Sequence, residues 1–209
     1  MKYEFKTEPY AHQKTALKRS WNKREYGFFM EMGTGKSKVL IDTIGILYGK
    51  GAINAVVIIA PKGVYKNWST KEIPDHMPEH IDRHVAVWSP APRKKEKADL
   101  VKLFNVDEDK LKIFVVNVEA FSTSKGVKFT QNFILGHKVL LAVDESTTIK
   151  NPKASRTKAI VKLSKNTAFR RILTGSPITQ SPLDLYSQTE VLGPSLLGYT
   201  SFYSFQNHY

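Results

Sequence analysis

The stretch FFMEMGTGKSKVLIDTI, residues 28–44, sets two glycines, a lysine and a hydroxyl where an apolar run gives way to a helical pattern. Gly33 and Gly35 let the backbone turn tightly and aim its N–H groups inward, forming an anion nest at the positive end of a helix. Thr34 lies between them. Lys36 would reach the outer phosphates of a nucleotide such as ATP as a point charge. Ser37 would place its hydroxyl on Mg2+, and Lys38 continues the first turn at the same site. The full phosphate-loop pattern has glycine where Met30 stands, and an ordinary glycine turn opening a helix is the plain alternative.

A second stretch, LLAVDESTTIKN, residues 140–151, is an apolar run that stops at two adjacent carboxylates. Burying an unpartnered carboxylate is costly. In a chain with a phosphate loop, Asp144 would hold Mg2+, usually through water, so that the metal compensates its charge. Glu145 would orient and deprotonate the water that attacks the γ-phosphate. An acid capping the following turn would explain one of these carboxylates but not both.

These residues must be positioned by alternating elements. Strand-like runs fall at 27–30, 55–60, 85–88, 113–116, 139–143 and 171–173, with helical patterns at 37–48, 62–73, 93–104, 127–135, 152–163 and 182–192 between them. A further helix is expected over 11–22. Asn151 before Pro152 and Ser181 before Pro182 read as N-caps followed by proline in the first turn. Runs such as VVIIA, apolar on both faces, imply a sheet covered on both sides. The expected fold is therefore a three-layer α/β domain with a mainly parallel central sheet, formed by residues 1–209 as one unit, with ligands beyond the carboxyl ends of the strands. The tail after Gly193 would pack on this unit or lead elsewhere.

At 209 residues, 41% hydrophobic and 24% charged, the composition is that of an ordinary globular protein. The absence of cysteine excludes disulfides and thiolate metal sites. No apolar run reaches membrane-spanning length and the first residues lack a signal-peptide core, so no membrane partner is expected. The location implied is intracellular, cytoplasmic for a bacterial or viral protein. The net charge of +13 points toward a polyanionic partner. Residues 146–183 contain no acid, whereas Lys150, Lys153, Arg156, Lys158, Lys162, Lys165, Arg170 and Arg171 lie within that span. They read as a phosphate-binding surface, with a solvated helix face as the alternative. RKKEK, residues 93–97, carries its own acid and reads as a solvated helix. His76, His80 and His84 recur at spacing four, but Pro74 and Pro78 interrupt any single helix and zinc is declined.

Taken together, the motifs resemble the first RecA-like lobe of superfamily-two helicases, and within them the Swi/Snf-type DNA translocases. DESTTIKN is similar to the family's DEAHxIKN, and MEMGTGKS to its DEMGLGKT. LTGSPITQ, residues 173–180, resembles LTGTPIQN. IIAPKGVYKNW, residues 58–68, resembles the family's APxxLxxNW, and VVNVEAFS, residues 115–122, its next strand–loop motif. The matches run in family order from residue 9 to about 192.

The resemblance implies a P-loop NTPase lobe in which Thr174, Gly175 and Ser176 couple nucleotide state to nucleic acid. A hydroxyl cap for the next helix is the alternative for that pair of hydroxyls. It also implies that Lys62, Asn67, Lys150, Asn151, Lys153 and Arg156 track a double-stranded DNA backbone. Trp68 reads as a core anchor sooner than as a base-stacking ring. Gln13, in YAHQ, is the candidate adenine reader, with an exposed helical glutamine as the equal alternative. Ser146 and Thr147 replace the family's Ala-His, which leaves the link to the coupling motif to the Thr147 hydroxyl. Family motors use a second RecA-like lobe, from the full-length protein or in trans, which supplies an arginine to the transferring phosphoryl group. An RNA or single-strand helicase lobe, a hydrolysis-deficient nucleic-acid-binding module and a small-molecule kinase are the competing functions.

Overall fold

A computed structural model describes residues 3–105 and 109–209. In chain order the elements are α1 (Ala11–Ser20), β1 (Glu25–Phe29), α2 (Lys36–Gly49), β2 (Ala55–Ala60), α3 (Tyr65–Asn67), a π-helical segment (Trp68–Glu72) and α4 (Ile73–His76). They continue with β3 (Arg83–Val87), α5 (Lys94–Lys102), β4 (Leu111–Asn117), α6 (Ser124–Leu135), β5 (Val139–Asp144), α7 (Ser155–Ser164), β6 (Phe169–Thr174), α8 (Asp184–Leu192) and α9 (Phe202–Gln206).

The six strands form one open sheet in the order β1-β6-β5-β2-β4-β3, and every pairing is parallel. Parallel strands require crossovers, and the helices these crossovers contain cover both faces. Alternate residues of β2 accordingly enter two separate cores. Val57 and Ile59 pack with Phe133, Ile160 and Val191, while Val56 and Ile58 pack with Leu17, Leu40 and Trp68. All six residues of β2 are buried, which is why that run carries no alternation. The expected three-layer α/β fold is the observed one.

Several local expectations are corrected. The helix expected at 62–73 begins only at Tyr65 and passes through a π turn, Trp68–Glu72, before resuming as α4. Pro74 has no N–H for the preceding turn and sits where the π turn gives way to α4. Asn151 and Ser181 do not cap helices directly. Asn151 Oδ1 accepts from Lys153 N at 2.9 Å and Ser181 Oγ from Leu183 N at 3.1 Å, closing side-chain turns. The helices start later, at Ser155 and Asp184. Downstream of Gly193 the chain packs back on α8, the Tyr186 ring lying 5.4 Å from Phe202 and 5.7 Å from Phe205. No helix among the described residues is long and apolar enough to cross a membrane.

Candidate active site

At the carboxyl end of β1 the chain turns through residues 30–35 into α2. Gly33 and Gly35 adopt φ of 77° and 81°, a region glycine enters freely and side chains rarely do. Gly35 is the N-cap of α2, supplies no capping side chain, and no acid lies in the first turn. The opening N–H groups therefore remain available to an anion. Thr34 ties the loop to itself, its hydroxyl donating to Glu31 O at 2.7 Å. Lys36 Nζ is folded onto the loop, donating to Met30 O at 2.9 Å and Glu31 O at 3.0 Å.

Two expectations change here. Gln13 is not an exposed helical glutamine: it is 5% exposed. Its Nε2 donates to Thr34 O at 3.1 Å, and its Oε1 accepts from Tyr10 N at 3.0 Å. A Cβ added at Gly35 would lie 2.3 Å from Gln13 Nε2, so the amide braces the loop directly. Lys38 turns its ammonium away from the loop into a buried ion pair with Asp42 at 2.9 Å, the two side chains being 6% and 1% exposed. Tyr3 OH donates to the other Asp42 oxygen at 3.2 Å. Burial pushes the Asp42 carboxyl up against the pull of Lys38. Only the backbone N–H of Lys38 is left to face a phosphate.

β5 delivers the carboxylates two strands away from β1, with β6 between. Glu145 takes φ 47°, a left-handed conformation unusual for a branchless acid. The reversal aims its side chain back over the strand ends. Glu145 Oε1 accepts from two hydroxyls, Thr147 Oγ1 and Thr174 Oγ1, each at 2.9 Å. Thr147 and the coupling-motif residue Thr174 thus meet through one Glu145 oxygen. Asp144 pairs in register with Leu173, which sets Thr174 one residue beyond. Thr174 is buried, while Ser176 is exposed and contributes its backbone N–H to Thr174 Oγ1 at 3.2 Å. No helix starts at Pro177; α8 begins at Asp184, so these hydroxyls are not its cap. A Cβ at Gly175 would come 3.1 Å from Met32 Cγ, so this loop also packs on the phosphate loop.

Asp144 is held from both sides, Oδ1 by Glu145 N at 3.0 Å and Oδ2 by the Trp68 indole N–H at 3.0 Å. Burial raises its carboxyl above the usual range and the Glu145 charge adds to the rise. The Trp68 and Glu145 hydrogen bonds and the Lys36 charge oppose it. Trp68 itself is 2% exposed, a core anchor and not a stacking surface.

The basic stretch is less uniform than its sequence. Lys150 is not free for DNA: Nζ reaches Thr179 Oγ1 at 2.7 Å, Gln180 Oε1 at 3.2 Å and Asp184 Oδ2 at 3.5 Å. Its counter-charge lies just past the acid-free window. Arg170 pairs with Glu25 at 2.6 Å. Arg171 is fully buried, its guanidinium donating to the carbonyls of Ser20, Lys23, Arg24 and Arg170, and burial pushes it down to about 10. Lys62, Asn67, Asn151 and Lys153 are exposed beyond the carboxyl ends of the adjacent strands β2 and β5, and Arg156 is half-buried.

Sequence reasoning missed the Trp68–Asp144 bond and a second connection below the carboxylates. Ser146 Oγ donates to Gln188 Oε1 at 2.6 Å, and Gln188 Nε2 donates to Pro177 O at 2.7 Å. The available signal was a glutamine on the apolar face of α8, where a buried amide requires partners.

The family model described as SNF2-related domain matches residues 12–209. An uncharacterized ATP-dependent helicase of Mycoplasma pneumoniae is 32% identical over 170 residues, covering 80% of this chain and 15% of that protein. The human DNA repair and recombination protein RAD54B is 25% identical over 193 residues, covering 83% and 18% respectively. The chain spans less than a fifth of the length of these relatives. Among solved structures, the Sulfolobus solfataricus SWI2/SNF2 ATPase core in complex with double-stranded DNA superposes with TM-score 0.74 at 22% identity, over 98% of this chain and 39% of that one. The UvsW helicase of bacteriophage T4 gives 0.63 at 15%, over 89% and 58%. These last two are likenesses of fold.

Proposed function

The chain belongs to the SNF2-related family, and from that premise we propose that it is the ATP-binding lobe of a motor that hydrolyses ATP and moves along double-stranded DNA. The observation that carries this reading is the assembly at the strand ends: a lysine-bearing phosphate loop beside Asp144, and Glu145 gripped by two hydroxyls, one from the turn after β5 and one from the end of β6.

The residues fit a magnesium nucleotide. Asp144 is a half-buried carboxylate whose hydrogen-bond partners are neutral N–H groups, so its charge is left for a cation. One or two carboxylates with hydroxyl and phosphate oxygens suit Mg2+, and Asp144 and Ser37 would hold it. When bound, the ion neutralises charge on the phosphate oxygens. Lys36 leaves its two carbonyls for the outer phosphates, and the N–H groups opening α2 bind alongside. Glu145 orients a water and takes its proton at Oε2, the oxygen that Thr147 and Thr174 leave open. Lys62, Asn67, Asn151, Lys153 and Arg156 would follow the DNA backbone, as suits a motor indifferent to sequence. Lys150 would instead shape the loop that presents them. A second RecA-like lobe, elsewhere in a longer protein or in trans, would close the cleft and contribute the arginine.

ATP turnover with Mg2+, with and without duplex DNA, tests the reading. The chain alone binds Mg·ATP weakly and turns it over slowly, with duplex stimulation. Glu145→Gln abolishes turnover and keeps binding; Lys36→Ala abolishes binding. Binding by Lys36→Ala at the parent's affinity overturns the phosphate-loop assignment. Competition in which RNA displaces duplex overturns the choice of DNA.

A further inference from the structure

The indole of Trp68 reaches Asp144 across 76 residues of sequence, and the backbone around it is built for that reach. Trp68 opens the π turn between α3 and α4. A π turn widens the helix and re-aims the side chain at its start, and such turns recur at functional sites. Here the side chain enters the core beneath the strand ends, packed among Phe28, Leu40 and Ile58. Only its N–H reaches the site.

A carboxylate oxygen has two lone pairs. Asp144 spends one on each side, Oδ1 on a backbone N–H and Oδ2 on the indole, which fixes the carboxylate plane and leaves the remaining lone pairs in a set direction. A core anchor needs no such bond, since a phenyl or aliphatic group would fill the space. Partners of this kind fix the orientation of metal ligands, and losing them typically costs metal affinity on the order of ten- to a hundredfold.

We propose that Trp68 is a positioning residue for the magnesium nucleotide, its indole N–H orienting the Asp144 carboxylate toward the ion. The inference rests on the ATPase reading above and concerns the metal step alone.

The test uses Trp68→Phe, which keeps an aromatic ring and removes the N–H, together with indole N–H NMR of the unaltered chain. A fluorescent ADP reports nucleotide binding as Mg2+ is titrated. In Trp68→Phe the Mg2+ concentration for half-maximal effect rises about tenfold, while affinity for the nucleotide without metal stays unchanged. The Trp68 indole resonance, with the ring itself kept, moves on Asp144→Asn. It also moves when Mg2+ is added to the nucleotide-bound protein, but not with nucleotide alone. The NMR arm stands even if Trp68→Phe fails to fold. An indole resonance indifferent to both Asp144→Asn and Mg2+, with nucleotide bound normally, overturns the inference and leaves the phosphate loop intact. Failure of the unaltered chain to bind nucleotide at all overturns the ATPase reading, and the inference with it.

Discussion

Thr147 stands where the resembled motif carries histidine, and the structure shows what the hydroxyl does instead. Two hydroxyls, one from the carboxylate loop and one from the end of β6, meet on a single oxygen of Glu145. A hydrogen bond to a charged acceptor contributes roughly 1.5–3 kcal/mol, so losing either should misplace Glu145, the proposed base, and spare the proposed phosphate loop. Thr147→Val and Thr174→Val are each expected to lower kcat about tenfold or more with nucleotide affinity unchanged. Thr147→Ser, which keeps the hydroxyl, restores turnover. Steady-state turnover beside nucleotide binding checks this, and a Thr147→Val variant with full kcat would refute it. The acid pair was legible in the sequence because two carboxylates after an apolar run have few structural uses. The grip on Glu145 was legible only in part, because which rotamer meets which hydroxyl depends on the φ of 47° at Glu145.

Helix α8 is the element that joins the two loops of the site. Its first residue, Asp184, collects Thr179 N, Thr179 Oγ1 and Gln180 N on one oxygen, with Lys150 beside it. One turn later Gln188 bridges Ser146 and Pro177. Burial alone would raise the Asp184 carboxyl, but the Thr179 and Gln180 hydrogen bonds and the Lys150 charge outweigh it and hold it well below its ordinary value. A carboxyl lowered by folding stabilises when ionised. Its contribution is complete above the ordinary value of 3.8 and declines as pH falls below it. Asp184→Asn is therefore expected to cost about 2 kcal/mol at neutral pH, with the gap to the parent closing in strong acid. Denaturant titrations at neutral and low pH measure it. A gap that persists unchanged in strong acid would show that charge is not the cause. None of this could be read from residues 146–183, since the acid answering Lys150 is the residue just past Leu183. Each strand was legible as an apolar run, but β1, β3, β4 and β6 begin two residues before those runs, where charged residues such as Glu25, Arg83, Lys112 and Arg170 join the ladder. The helix starts were not, because Asn151 and Ser181 bond locally and delay the first turn.

At the scale of the whole molecule, a doubly covered parallel sheet gathers every candidate group at one edge, as such sheets do at the ends of their strands. That much followed from six apolar runs separated by helical ones. The role of the first residues did not. Tyr3 bonds Asp42 behind the phosphate-loop helix, the Phe5 ring lies 5.4 Å from Lys38 Nζ, and Lys6 reaches Pro74 O and Glu79. Removing residues 1–8 is expected to cost about 3 kcal/mol and to weaken nucleotide binding with it. Thermal unfolding with and without Mg·ATP measures both, and equal stability of the shortened chain would contradict the packing described. Family similarity begins at residue 12, whereas Tyr3 and Phe5 already pack against the Lys38–Asp42 pair. Shared sequence marks where relatives align; packing also draws on residues ahead of that point. A fragment trimmed to the aligned region would leave an ion pair unroofed one turn behind the phosphate loop, and its lost affinity would be mistaken for a weak site.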